Sequence, residues 1–237
     1  MPIEEPSWNC PVVALDGPSA SGKSTLARAL AKALGWFYLG SGDWYRALTW
    51  AALRKGVNPS SPQALLDTLS SIQVQGHPDG SVDVDGRILD AELRAPQIDQ
   101  AVCDVADHGV VREALNSRMR EFRSAPEVKG IVADGRDAGS VIFPDACLKV
   151  FIDAGVDARA SRRLAQVEAA GVDTTIADVR RALEERDSRD AARGASAPRP
   201  SSDGKVLDNS NLTVEEATGR LLSWVRPLLK EDPTTLY

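Results

Sequence analysis

The stretch "GPSASGKST" at residues 17–25 constrains this chain more than any other, because of what stands on either side of it. Ahead of it runs the apolar "VVALD" and behind it "LARALAKAL", so a glycine-rich turn joins an expected buried strand to an expected helix. Gly17, Gly22, Lys23 and Ser24 satisfy the pattern G-x-x-x-x-G-K-[ST]. In such a turn the glycines let backbone N–H groups face phosphate oxygens, the lysine reaches the outer phosphates, and the hydroxyl after it can ligate Mg²⁺. The following helix adds the partial positive charge of its N-terminus. The segment is a site for ATP or GTP.

The rest of the chain has the alternation this start demands. "VVAL" at 12–15, "WFYL" at 36–39, "GIVAD" at 130–134 and "LKVFID" at 148–153 read as strands buried on both faces, with "KVLD" at 205–208 a shorter fifth. Helical patterns separate or follow them, such as Leu26, Leu30 and Leu34 closed by Gly35. Thr213 with Glu216 forms a capping box ahead of the last helix. The expected fold is α/β, a parallel sheet flanked by helices. Between 72 and 129 the alternation breaks: Asp79-Gly80 and Asp85-Gly86 mark a three-stranded meander, followed by helices at roughly 92–106 and 110–123. This part reads as an inserted subdomain. "GASAPRPSSDG" at 194–204 reads as a mobile loop, and the terminal "KEDPTTLY" carries no readable signal.

Bulk properties exclude several classes. A net charge of -6 over 237 residues gives no basic field, so no nucleic-acid partner is expected. Cys10, Cys103 and Cys147 are odd in number and widely spaced, which fits a reducing cytoplasm and neither a disulfide framework nor zinc. No leader pattern or membrane span is evident, and no apolar stripe calls for a permanent interface, so a cytoplasmic monomer is expected. Arginine outnumbers lysine 21 to 7, a bias that codon usage or phosphate recognition would each produce.

Among nucleotide binders, the absence of an N-K-x-D motif argues against a GTPase switch, and the chain is short for a motor, which leaves small-molecule kinases. Three clusters are candidates for the acceptor. "SGDWYR" at 41–46 puts Ser41 and Arg46 just past the second strand, where open α/β sheets bind ligands. "DGRD" at 134–137 ends the third strand, as a ligand site or as a structural salt bridge. "ERDSRDAAR" at 185–193 places Arg186, Asp190 and Arg193 at i, i+4, i+7, as pairs on a solvated helix or as an arginine lid that Arg162 and Arg163 precede.

Taken together, "GPSASGKST", "SGDWYR", "ADGRD" with "FPDA", and "ERDSRDAAR" resemble the bacterial cytidylate kinases over nearly the whole chain. The resemblance implies an adenylate-kinase-like P-loop fold with a five-stranded core at 1–40 and 125–237, a lid at about 160–195, and a nucleoside-monophosphate region at 41–124 whose insertion spans about 72–124. It implies transfer of the γ-phosphoryl group of ATP to CMP or dCMP with Mg²⁺. On this pattern Gly17, Pro18, Ser19, Ala20, Ser21, Gly22, Lys23, Ser24 and Thr25 bind ATP, with Ser24 on the metal. Ser41, Arg46, Cys103, Arg112, Arg136, Asp137, Arg186, Asp190 and Arg193 bind CMP, Asp137 and Arg112 facing the base, and Lys23, Arg136, Arg186 and Arg193 are catalytic. Cys103 departs from the family pattern, which has a serine there; a thiol is a weaker donor and weakens that contact.

A phosphate acceptor is largely ionised near pH 7, its second pKa being about 6, so no strong general base is needed. His77 and His108 both fall in the insertion, outside any catalytic constellation. An alcohol acceptor such as shikimate would need a base, for which Asp43 or Asp137 would serve; dephospho-coenzyme A and UMP are other rival acceptors, and a non-catalytic ATP-binding module a further alternative.

Overall fold

In the computed structural model, which describes residues 10–169 and 171–230, "VVALD" forms strand β1 (Val12–Asp16) with all five residues buried. Helix α1 (Lys23–Leu34) buries Leu26, Ala27, Leu30 and Ala31 along one face and ends at Gly35, whose φ of 67° suits a C-terminal cap. Strand β2 (Phe37–Gly40) runs straight into helix α2 (Ser41–Arg54), and helix α3 (Pro62–Ser70) starts on a proline, whose missing N–H costs nothing there.

The meander consists of β3 (Val74–Gly76), β4 (Val82–Val84) and β5 (Arg87–Leu89), paired antiparallel in that order. Asp85 and Gly86 both take positive φ, 53° and 79°, as a two-residue hairpin turn requires. Helices α4 (Pro96–Asp107) and α5 (Gly109–Glu121) follow, flanked by short 3-10 turns at Ala91–Arg94 and Phe122–Ser124.

The chain then continues through β6 (Ile131–Gly135), a turn at Ala138–Ile142, β7 (Leu148–Asp153), α6 (Val156–Ala169), α7 (Ile176–Ala191), β8 (Lys205–Asp208) and α8 (Val214–Lys230). The five-stranded sheet has the order β2-β6-β1-β7-β8, and β7 pairs parallel with both β1 and β8. This is the expected class, a parallel sheet with helices plus a small antiparallel sheet. Two compact units divide the described residues: Gly35–Ile131 with residues 10–12, and Val13–Leu34 with the described residues from Val132 on. In the first, α2 packs on α3, α4 and β4; in the second, α1 packs on α8 and α6 on α7.

Strand β7 departs from the expectation of burial on both faces. Leu148, Val150 and Ile152 are buried, but Lys149 and Phe151 are only half-buried and Asp153 is exposed. The irregular segment carrying Arg199 and Ser201, rather than a helix, lies over that face. At the C-terminal end Thr213 accepts from the Glu216 N–H at 3.2 Å while Glu216 accepts from the Thr213 N–H at 2.9 Å, the reciprocal cap expected. Of "KEDPTTLY", all but Lys230 lies outside the described residues. Among the described residues no helix is long and apolar enough to cross a membrane, and none of the three cysteines is in a disulfide.

Candidate active site

The phosphate loop is held tightly from outside. A side chain at Gly17 would put its Cβ 2.2 Å from the Ile152 carbonyl oxygen, and one at Gly22 would lie 2.6 Å from Asn209 Nδ2, both at positive φ. Ala20 is left-handed as well, φ 60°, a conformation that only surrounding structure can enforce on a residue with a Cβ. That structure consists of side chains gripping the loop's carbonyls. Asn209 Nδ2 donates to the Ser21 oxygen at 2.8 Å, Arg162 Nη1 to the same oxygen at 3.2 Å, and Arg159 Nη1 to the Ser19 oxygen at 3.2 Å. A trans peptide points its C=O and N–H to opposite sides, so these bonds turn the Ala20 and Gly22 N–H groups away from the donors, as a phosphate cradle needs. Arg162, read from the sequence as an approach to the lid, instead braces the loop, since its Nη2 also donates to the Asn209 oxygen at 2.5 Å.

Lys23 is buried at the start of α1 and donates to the Pro18 oxygen at 3.1 Å. Burial, then the charge of Arg136, bring its pKa down to about 7 against the pull of Asp134. Next to it Ser24 Oγ donates to Asp134 Oδ2 at 2.6 Å. Arg136 Nε donates to Asp190 Oδ2 at 2.6 Å, and Arg193 pairs with the other oxygen of Asp190. Burial pushes the Asp190 carboxyl up, but Arg136, Arg193 and Arg186 outweigh it and the net shift is downward. Lys23, Asp134, Arg136, Arg186, Asp190 and Arg193 thus make one charged cluster within the second unit. Of the readings of these two segments, the salt bridge is formed: Arg136 pairs at a strand end with a carboxylate from the arginine-rich helix. Asp137 is buried near Asp16, whose pKa its charge raises.

The remaining candidates lie in the first unit. Ser41 is buried as the first residue of α2. Arg46 donates to Asp99 Oδ1 at 2.5 Å and to the Leu93 oxygen at 2.8 Å. Arg112 lies over the Tyr45 ring, 5.3 Å from its centroid, and donates to the Ala106 oxygen at 3.3 Å. Cys103 is half-buried one helical turn after Asp99. Asp43, a candidate base for an alcohol acceptor, is ion-paired with Arg94 at 2.7 Å.

Asp134 falls within the "DGRD" candidate, but its bond to Ser24 on the donor side was not foreseen, and Asp99 and Asn209 were missed as partners of candidate site residues. For Asp134 a signal existed, a carboxylate closing an apolar strand; for Asp99 and Asn209 none did, because their partners are 53 and 188 residues away. Ser24 and Asp134 offer hard oxygen donors that fit Mg²⁺. Among the described residues no group of three or more His, Cys, Asp or Glu forms a metal cage, so such an ion would draw most of its ligands from phosphate and water.

Residues 13–226 match the family model described as cytidylate kinase. The cytidylate kinase of Burkholderia ambifaria (strain MC40-6) is 41% identical over 96% of this chain and 98% of its own. That of Paraburkholderia phytofirmans is 42% identical over 94% of this chain and 96% of its own. Among solved structures, an uncharacterized protein from Eubacterium ventriosum aligns with a TM-score of 0.51 at 15% identity, covering 92% of this chain and 98% of that one, a likeness of fold.

Proposed function

The chain belongs to the cytidylate kinase family, and on that premise we propose that it transfers the γ-phosphoryl group of ATP to CMP or dCMP, giving ADP and CDP or dCDP. An oxygen of the acceptor phosphate forms the new bond to the γ-phosphorus as the bond to the β,γ-bridging oxygen breaks. The observation that carries the reading at the level of chemistry is the clustering of Lys23, Arg136, Arg186 and Arg193 around one buried carboxylate, Asp190. With Asp134 counted beside Asp190, four basic groups face two carboxylates, which still leaves positive charge for phosphoryl oxygens.

Residues 17–25 bind the donor, and Lys23 neutralises its outer phosphates. Mg²⁺, held by Ser24 with Asp134 behind it, would neutralise charge on the β- and γ-phosphates. Arg136, Arg186 and Arg193 orient the acceptor phosphate and stabilise the charge of the transferring group, while Asp190 fixes two of those guanidiniums. Ser41 and Arg46 also serve the acceptor phosphate and ribose, and Arg112 and Asp137 read the cytosine amino and carbonyl groups. Because the acceptor arrives ionised, no side chain acts as a strong base, and the work is positioning and charge neutralisation.

The test is ADP formation from Mg-ATP against CMP, dCMP, UMP, AMP, GMP, shikimate and dephospho-coenzyme A. Turnover confined to CMP and dCMP supports the assignment; turnover of a non-nucleotide alone, or of none, overturns it. Arg136→Ala is expected to lower kcat/KM for CMP by about 10²-fold or more, and near-normal turnover in that variant would remove Arg136 from its role.

A further inference from the structure

Asp16, at the end of β1, is a buried carboxylate that the reaction as described does not use. Its Oδ1 accepts from the Ala138 N–H at 2.6 Å and its Oδ2 from the Gly139 N–H at 2.8 Å. Among the described residues it has no ion-pair partner. These two N–H groups directly follow Arg136 and Asp137. The packing beside this turn is tight: a Cβ at Gly139 would lie 3.0 Å from Lys149 Cγ and 3.1 Å from Ala14 Cβ, with Asp16 Oδ2 at an ordinary contact distance of 3.4 Å. On its other side Asp16 is bonded in sequence to Gly17, the first residue of the phosphate loop. One carboxylate therefore ties the turn that carries Arg136 and Asp137 to the strand that carries the donor loop.

We propose that Asp16 is a positioning residue for the acceptor, fixing Arg136 and Asp137 through the Ala138 and Gly139 N–H groups. The proposal rests on the kinase reading above. A carboxylate suits the task because it offers an acceptor to each N–H, whereas an asparagine in its place aims an NH₂ at one of them. The charge is not free: burial raises the Asp16 pKa to about 6, helped by Asp137 and opposed by the two N–H groups and Lys23. Lys149 and Arg199 border the same small space beside it.

Asp16→Asn is the test, with steady-state kinetics for CMP and direct titration of ATP binding without acceptor. The expected result is a rise in KM for CMP, with some loss of kcat, totalling about 10- to 100-fold in kcat/KM, while ATP affinity stays within about twofold, the loop's own contacts being intact. The wild-type advantage should shrink as pH falls through about 6, where Asp16 takes up its proton; ionisation of the acceptor cancels in that ratio. Gly139→Ala, which crowds the same turn against Lys149 and Ala14, should show the same CMP-selective defect and serves if Asp16→Asn does not fold. Equal losses toward ATP and CMP, or an unchanged KM for CMP, overturn the proposal. Failure of the wild-type protein to phosphorylate CMP would instead overturn the kinase reading itself.

Discussion

Below about pH 7 Lys23 keeps its proton in a buried site beside Arg136 and Arg186, whereas in the unfolded chain it keeps it up to its ordinary 10.5. The folded value is the lower one, so the protonated lysine opposes folding in full below pH 7, and the penalty fades as pH rises from about 7 toward 10.5. Lys23→Met is therefore expected to raise the melting temperature of the ligand-free protein by a few degrees near pH 7, with a gain that disappears toward pH 10 and a rate loss of about 10²-fold or more. Thermal scans across pH check the first part and turnover the second. Donor phosphates reverse the shift, so ATP binding near pH 8 should take up a proton, seen by calorimetry as a binding heat that depends on the buffer's ionisation enthalpy. Asp190 has the opposite sign: its lowered pKa contributes stability above its unfolded value of about 3.9 that is lost as pH falls through the folded value.

Helix α6 acts on the phosphate loop as a unit, with Arg159 and Arg162 one turn apart on carbonyls of Ser19 and Ser21. Arg162→Ala should lower ATP affinity by about tenfold, the worth of one or two charge-assisted hydrogen bonds, with KM for CMP little changed; titration of each nucleotide separately would reveal whether the brace serves the donor alone. Elements of this kind were legible in the sequence in proportion to how local their cause is. The apolar runs, the Asp85-Gly86 turn and the Thr213–Glu216 cap are each decided within a few residues, and each is found where the pattern put it. The two-sided burial expected of β7 was overestimated because an apolar strand looks alike whether a helix or an irregular segment covers it. The roles of Arg162, Asp99 and Asn209 depend on partners brought together only by folding. The charged clusters announced themselves by composition, yet only the fold shows that Arg136 and Asp190 meet.

At the scale of the whole molecule, acceptor residues named on the family pattern are distributed over both compact units, whereas the donor residues fall in one. Hydrogen exchange should reflect that division. A non-hydrolysable ATP analogue is expected to protect residues 17–25, and CMP to protect segments of both units, around 41–46 and 103–112 in one and 134–140 and 186–193 in the other. Protection by CMP confined to the second unit would contradict the assignment of Arg46 and Arg112, and protection confined to the first would contradict that of Arg136, Arg186 and Arg193.

Asp190, sharing its two oxygens between Arg136 and Arg193, has a further meaning for the idle protein. A nest of bare guanidiniums would be a sponge for any small oxyanion in its surroundings, and each true substrate would first have to evict a squatter. With a carboxylate already seated among them, a lone inorganic phosphate or sulfate finds much of the attraction spoken for. On the proposed assignment a ligand that also brings a sugar and a base has further contacts with which to settle there, so inorganic phosphate or sulfate is expected to compete poorly with CMP.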